Sequence, residues 1–381
     1  MTPGCSLIFL FKYYYSSNTY EEYIENEQIN SEQLKATRVT PVLDAKITTG
    51  ENLIYCATVQ MAWNKLYNDI VKDTIEISEN IEYVGKMNSF LSMQHPISDS
   101  DCVVMAGKGR DNIIEKINYE LKRKFNISNM LNIKLGDDDL FVYAYLFKSL
   151  AFKHVFEKSN MYFEFEKNKK TLVKTFGFDV SKSTNSKLLE DQIELIYYSE
   201  PDRQWKKDPR AMLEKLKLND HCSFIIKLKT KSINDEIIVS TIVPLDSLKT
   251  TYAKIEKIIL EEKAIKDKKR TLFFSRFYMP IINFDIIHDY KEIRDRTFFK
   301  QNKEKIFIKN FVQNIKFIIN EKGVILESGA FIRGCSLLLD VDGPFIIYIK
   351  ERRSNFPYFM AYIANDELLV KEKGIWDYFF N

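Results

Sequence analysis

Glycine and proline are scarce, twelve and nine in 381 residues, which excludes a collagen-like or linker-dominated chain. Cysteine is equally sparse. Cys5, Cys56, Cys102, Cys222 and Cys335 are odd in number, widely spaced and contain no C-x-x-C, so neither a disulfide framework nor a structural zinc site is indicated. The four histidines, His95, His154, His221 and His288, stand apart, with no two at metal-ligand spacing. Charge of one sign is missing too: 56 Lys plus Arg against 53 Asp plus Glu leave +3. A dedicated nucleic-acid binder carries a larger basic excess. No apolar run approaches the ~20 residues that a membrane-spanning helix needs. Enzyme signatures are absent: there is no Gly-x-Ser-x-Gly elbow, and His221-Cys222 are sequence neighbours, which a strand would point to opposite faces. Nothing calls for a cofactor or a metal.

What is present is a 45% hydrophobic, 14% aromatic chain, the composition of a soluble globular protein with a sizeable core. Leu7 to Phe11 is apolar but lacks the basic flank and small-residue cleavage site of a signal peptide. With the thiol-type cysteine usage this favours a cytoplasmic setting. Pro3-Gly4-Cys5 would suit the end of a lipoprotein signal, hence an extracellular setting and a modified Cys5, only if more chain preceded it. Residues 20–35 are acidic and read as an exposed helix or loop.

Apolar positions repeat at three and four from Val59 to Val71 and again from Ile113 to Phe125, predicting amphipathic helices. Cys102 to Ala106 predicts a short strand. Phe141 to Phe147 is unbroken apolar, as for a strand covered on both faces. Residues 161–165, 172–178 and 192–198 read as strands, and 223–229 with 236–243 as a hairpin around Ile233-Asn234-Asp235. Asp246 to Asp267 reads as a charged amphipathic helix whose basic end, through Arg270, suits a helix C-terminus. Strand character returns at 270–277, 284–287, 306–319, 345–350 and 358–363. No period of 20 to 50 residues repeats, so a solenoid or propeller is disfavoured. Helices early and strands later make an α+β domain.

Two segments have a chemical look. Gly107-Lys108-Gly109-Arg110, between a strand and a helix, has the form of an anion cradle, although it lacks a third dinucleotide-type glycine and the Gly-Lys-Ser/Thr ending of a P-loop. The plain reading is a flexible strand-to-helix turn. Asp137-Asp138-Asp139 has carboxylates for a hard cation but not the spacing of a calcium loop. The plain reading there is an acidic turn before the next strand.

The last 75 residues carry a family resemblance. Phe317-Ile318-Ile319-Asn320-Glu321-Lys322-Gly323 resembles the segment that leads into the reactive loop of serpins. Asp342-Gly343-Pro344-Phe345 to Ile349 and Pro357 to Ile363 are similar to the two strands that follow that loop. Asn52 to Ala57 resembles the entry to the serpin B helix, and Phe141 to Phe156 the strand that ends near a Trp, here Phe152. The matches run in order through residues 51–365. They imply one serpin-like α+β domain with a helical N-terminal third, a large mixed central sheet and C-terminal strands. Residues 1–50 then form an N-terminal segment of the same domain and 366–381 an aromatic tail.

The departures bear on function. An inhibitory serpin inserts its cleaved loop as a new strand in the central sheet, which requires small residues at the hinge. Val324-Ile325-Leu326-Glu327-Ser328-Gly329-Ala330 is bulky there, and the interval from Gly323 to Pro344 is short. Cys56-Ala57 replaces a Ser-Pro pair and Tyr143 an Asn. The resemblance therefore implies a non-inhibitory binding protein that uses a static scaffold and engages a protein or peptide partner. Glu327, Arg333 and Gly334 lie in the exposed segment. The alternative is a protease inhibitor presenting a bond within residues 327–337, and a second alternative is an enzyme or biosynthetic accessory protein on this scaffold. In the tail, Trp376, Tyr378 and Phe379 are expected to dock on their own domain or on a partner, because exposed aromatics cost ~25 cal/mol per Å² of apolar area.

Overall fold

The computed structural model describes residues 28–73, 75–77, 81–91, 97–127, 131–166, 169–182, 189, 191–199, 222–264, 274–294, 296–299, 305–322 and 337–372. Among these, the chain forms three sheets and four α-helices, an α+β fold. The helices are α1 (Thr58–Lys65), α2 (Glu82–Ser89), α3 (Ile113–Phe125) and α4 (Leu248–Ala264). Helix α1 runs on as a π-helical turn, Leu66–Val71, which Lys72 closes in the left-handed region. The predicted helical stripe from Val59 to Val71 is thus real, with one change of pitch.

The central sheet is built around β15 (Lys305–Ile319). On one side β15 pairs antiparallel with β13 (Ile282–Asp289) and β14 (Arg296–Phe299). On the other it pairs parallel with β6 (Leu140–Ser149), which pairs with β5 (Cys102–Lys108). Two short strands, β1 (Ile29–Asn30) and β4 (Glu76–Ile77), extend β13 and β14.

The second sheet runs β2 (Thr37–Thr40), β3 (Asn52–Cys56), β18 (Phe359–Ile363), β17 (Phe345–Glu351), β11 (Asp235–Ser240), β10 (Ser223–Leu228) and β9 (Ile193–Ser199). The third runs β16 (Leu337–Asp340), β12 (Phe274–Pro280), β8 (Lys169–Asp179) and β7 (Glu157–Glu166). The expected hairpin is β10–β11. The expected pair of alternating segments at 161–165 and 172–178 is the longer hairpin β7–β8.

The core explains the sequence pattern of β6. Leu140, Val142 and Ala144 pack into a cluster with Trp63, Phe298 and Phe311. Their neighbours Phe141, Tyr143 and Tyr145 face Ile113, Ile114, Ile117 and Leu121 of α3. A strand with cover on both faces has no reason to alternate. Helix α4 buries Leu248, Tyr252, Ile255 and Ile259 on one stripe against the second sheet. Its Glu256 accepts hydrogen bonds from Tyr348 Oη (2.5 Å) and Lys350 Nζ (2.6 Å). The central and second sheets are joined by ring contacts, the closest being Phe317 stacked on Phe359 at 4.3 Å between centroids. Pairs of this kind contribute ~0.5–1.5 kcal/mol beyond the area they bury. No described helix is long and apolar enough to cross a membrane.

Candidate functional site: the parallel seam of the central sheet

Strands β6 and β15 are parallel neighbours in register from Leu140 beside Ile308 to Ser149 beside Ile318. A parallel pair leaves a particular geometry. A segment that follows β15 and turns back would run antiparallel to both strands, so among the described strands of this sheet only here could it lie between two antiparallel partners. The seam is closed by hydrogen bonds along its length and covered by α3 on one face. The start of α3 sits so close to β5 that a Cβ at Gly107 would meet Ile113 Cδ1 at 2.8 Å.

The opposite face carries a buried polar network. Gln313, in the middle of β15, is fully buried. Its Nε2 donates to Thr58 Oγ1 (2.9 Å) and to the Cys56 carbonyl (3.3 Å). Its Oε1 accepts from the Tyr290 hydroxyl (2.8 Å). Cys56 Sγ lies 3.2 Å from Thr58 Oγ1. One amide therefore ties the seam strand to the end of β3, the start of α1 and the end of β13. Each donor and acceptor is out of water, and an unmatched one costs ~1–3 kcal/mol. Burial pushes the Cys56 thiol up to about 11, so it serves as a packed hydrogen-bonding group and not as a nucleophile.

The upper end of the seam is clamped. Glu321 is buried and its Oε1 lies 3.1 Å from Lys158 Nζ. The carbonyls of Glu321 and Lys322 accept from the N–H groups of Phe156 (2.8 Å) and Phe152 (3.2 Å). Phe152 and Phe156 are held in turn, ring to ring, at 4.9 Å. The chain is thus fixed as far as Lys322 and is again fixed at β16, parallel to β12. Leu337–Asp340, within the interval expected to hold a loop, is an edge strand of the third sheet.

The other candidate residues are distributed elsewhere. Glu327, Arg333 and Gly334 lie outside the described residues, as do Val324 to Leu326, His95, His221 and the tail residues Trp376, Tyr378 and Phe379. The first part of the tail is described: Leu368 and Leu369 are buried, and Leu369 and Lys371 bridge to Ile282 and Val173. Gly107, Lys108, Gly109 and Arg110 meet the acidic turn directly. The N–H groups of Gly109 and Arg110 donate to the carbonyls of Asp139 and Asp137, both at 3.0 Å. Arg110 pairs with Asp138, and Lys108 Nζ lies 3.6 Å from the same carboxylate. Two segments that the sequence offered separately interlock, and the amides of 109 and 110 point at carbonyls. The described residues contain no group of three or more His, Cys, Asp or Glu that could hold a metal.

Sequence reasoning missed Gln313, Tyr290 and Thr58, whose roles are defined only by contacts across 23 and 255 positions. It placed Asn52 only at the start of the segment Asn52 to Ala57 and gave it no role, whereas in the structure Asn52 is fully buried. Asn52 Nδ2 donates to Asn365 Oδ1 (2.7 Å), and its Oδ1 accepts from Ala364 N (2.7 Å) and Asn365 N (3.0 Å).

No protein-family model and no curated relative matches the chain. Solved structures do. Native protease nexin-1 with heparin is 12% identical, with 83% of this chain and 93% of that one covered and a TM-score of 0.47. Uncleaved ovalbumin is 13% identical, with coverage of 83% and 93% and a TM-score of 0.46. Serpin48, a highly specific serpin of the insect Tenebrio molitor, is 11% identical, with coverage of 82% and 92% and a TM-score of 0.43. The fold of the described residues is α+β, three sheets with four α-helices.

Proposed function

We propose that this protein is a non-inhibitory binding protein, a static serpin-like scaffold that engages a protein or peptide partner through the segment that holds Glu327, Arg333 and Gly334. The observation that carries the reading is the closed seam. It is hydrogen-bonded through Ser149 and Ile318, locked on one face by Gln313 and clamped at Glu321 and Lys322. An inserted strand would send alternate side chains to opposite faces. Of Val324, Ile325, Leu326 and Glu327, two would meet the α3 face and two the Gln313 face. Both faces are already filled by buried side chains such as Tyr143, Tyr145 and Ile315, and overpacking of that kind costs ~1–3 kcal/mol per site.

One observation favours a second reading, a protease inhibitor: β6 and β15 are parallel neighbours, so a single antiparallel strand fits between them in direction. Incubation with trypsin-like and cysteine proteases followed by a denaturing gel separates the two. The static scaffold gives cleavage products or intact chain. A complex that survives SDS supports the inhibitor.

A further inference from the structure

Two turns meet at one end of the second sheet. The β10–β11 turn carries Lys231, Ile233 and Asn234, and the turn after β17 carries Arg352 and Arg353. The register of β11 and β17 sets Asp235 beside Glu351, and the Arg352 backbone N–H donates to the Asn234 carbonyl (3.0 Å). Lys153 joins them from the chain that follows β6. Its neighbour Phe152 bridges to Thr230, and the Lys231 backbone N–H donates to the Ala151 carbonyl (3.0 Å).

The β10–β11 turn is braced from within. Ser232 Oγ donates to Asp235 Oδ2 (2.6 Å) and accepts from the N–H groups of Asp235 (3.2 Å) and Asn234 (3.4 Å). Ile233, at the tip, is 78% exposed. A single exposed apolar residue is ordinary on a surface, but this one is held out on a fixed turn with cations around it. Lys153, Lys231, Arg352 and Arg353 are all exposed, and among the described residues none has an ion-pair partner. The carboxylates on these turns are mostly engaged. Asp191 pairs with Lys229 (3.2 Å), Asp235 accepts from Ser232 and from the Tyr358 hydroxyl (2.5 Å), and Glu351 is half-buried.

We infer that this end of the molecule binds an acidic protein segment that carries an apolar residue. Its carboxylates meet Lys153, Lys231, Arg352 and Arg353, and its apolar residue packs on Ile233. The surface lies outside the segment that holds Glu327, Arg333 and Gly334, and the assignment does not depend on that reading. An apolar contact inside a charged rim gives an interface both adhesion and orientation, and the guanidinium fork suits a carboxylate. One isoleucine buries too little area to hold the chain on a lipid surface. Four free cations on separate turns, in a chain of net charge +3, do not make a track for a phosphate backbone.

The test is fluorescence anisotropy of the full chain with a fluorescein-labelled peptide in which Leu-Phe is flanked by runs of Glu and Asp. Saturable binding is expected, with a Kd below about 100 μM at low salt. It weakens about tenfold near 0.3 M salt as screening shortens the reach of the charges. Replacing both arginines, Arg352→Ser with Arg353→Ser, weakens binding about tenfold and flattens the salt dependence. Ile233→Ser weakens it about threefold to tenfold and leaves the salt dependence as it was. Lys122→Ser, at an exposed cation on α3, changes neither. All these positions are exposed, so the melting curves coincide. The assignment is overturned if the peptide shows no saturable binding up to about 1 mM, or if either Ile233→Ser or the double arginine variant binds like the parent. Tighter binding of a single-stranded oligonucleotide or of phosphatidylserine vesicles at the same salt also overturns it.

Discussion

Replacing Gln313 by leucine keeps the volume of the side chain and deletes its hydrogen bonds. The Tyr290 hydroxyl then loses its acceptor, and the Cys56 carbonyl and Thr58 hydroxyl lose a donor, all in a site without water access. At ~1–3 kcal/mol for an orphaned buried group, partly relieved where Thr58 and Cys56 satisfy each other, the expected cost is about 2–4 kcal/mol. An unfolding entropy of ~2.1 cal/mol/K per residue over 381 residues gives about 0.8 kcal/mol/K, so the midpoint falls by roughly 3–5 °C. Thermal melts followed by circular dichroism give this number. The companion variant is Tyr290→Phe, which removes the hydroxyl that Gln313→Leu strands. The double variant is expected to be less destabilised than the sum of the singles by about 1–2 kcal/mol. Additive singles, or a Gln313→Leu cost below about 0.5 kcal/mol, would refute the idea that this amide locks the seam.

Two further outcomes follow from burial. Burial lowers the His288 imidazole below its ordinary value, against the opposing pull of Glu292 and Glu32. Its Nδ1 lies 2.7 Å from Ser31 Oγ. The unfolded chain therefore takes up a proton at His288 before the folded one does, and stability is lost as pH falls below ~6.5. In His288→Asn that part of the loss between pH 7.5 and 5.5 should vanish from the melting temperatures, and an unchanged slope would contradict the assignment. Burial also raises the Cys56 and Cys102 thiols to about 11 and 12. Iodoacetamide at pH 8, mapped by mass spectrometry, should label the half-buried Cys222 well before either. Equal labelling of native Cys56 would show that the end of β3 opens freely.

Much of the fold was legible, and the exceptions have physical causes. β6, α3 and α4 were readable because each is long and buries one stripe or two faces. β15 read as separate alternating segments. In the structure it is one strand whose pattern is broken by a register shift between Ile308 and Asn310 and by the buried Gln313 and Asn314. β2, β14 and β16 have four residues each, too few to establish a period. Helix α2 went unread because Gly85 and Asn88 dilute its apolar positions, while Val84 and Met87 alone are buried. The seam was visible only as two strand patterns about 170 positions apart. Its lock was not visible, because a glutamine in an apolar run says nothing about Thr58 or Tyr290. The anion-cradle look of Gly107 to Arg110 came from local spacing, whereas its amides are engaged by a turn nearly thirty positions later.

On the static-scaffold reading, the seam between β6 and β15 does not admit the chain that follows β15. Limited proteolysis within residues 323–336, followed by thermal melts of the cut and intact protein, measures it directly. The cut form is expected to melt within a few degrees of the intact chain and to keep slow amide exchange across β6 and β15. A cut form that gains strand signal and survives tens of degrees hotter, on the scale that marks hyperstability, would contradict it.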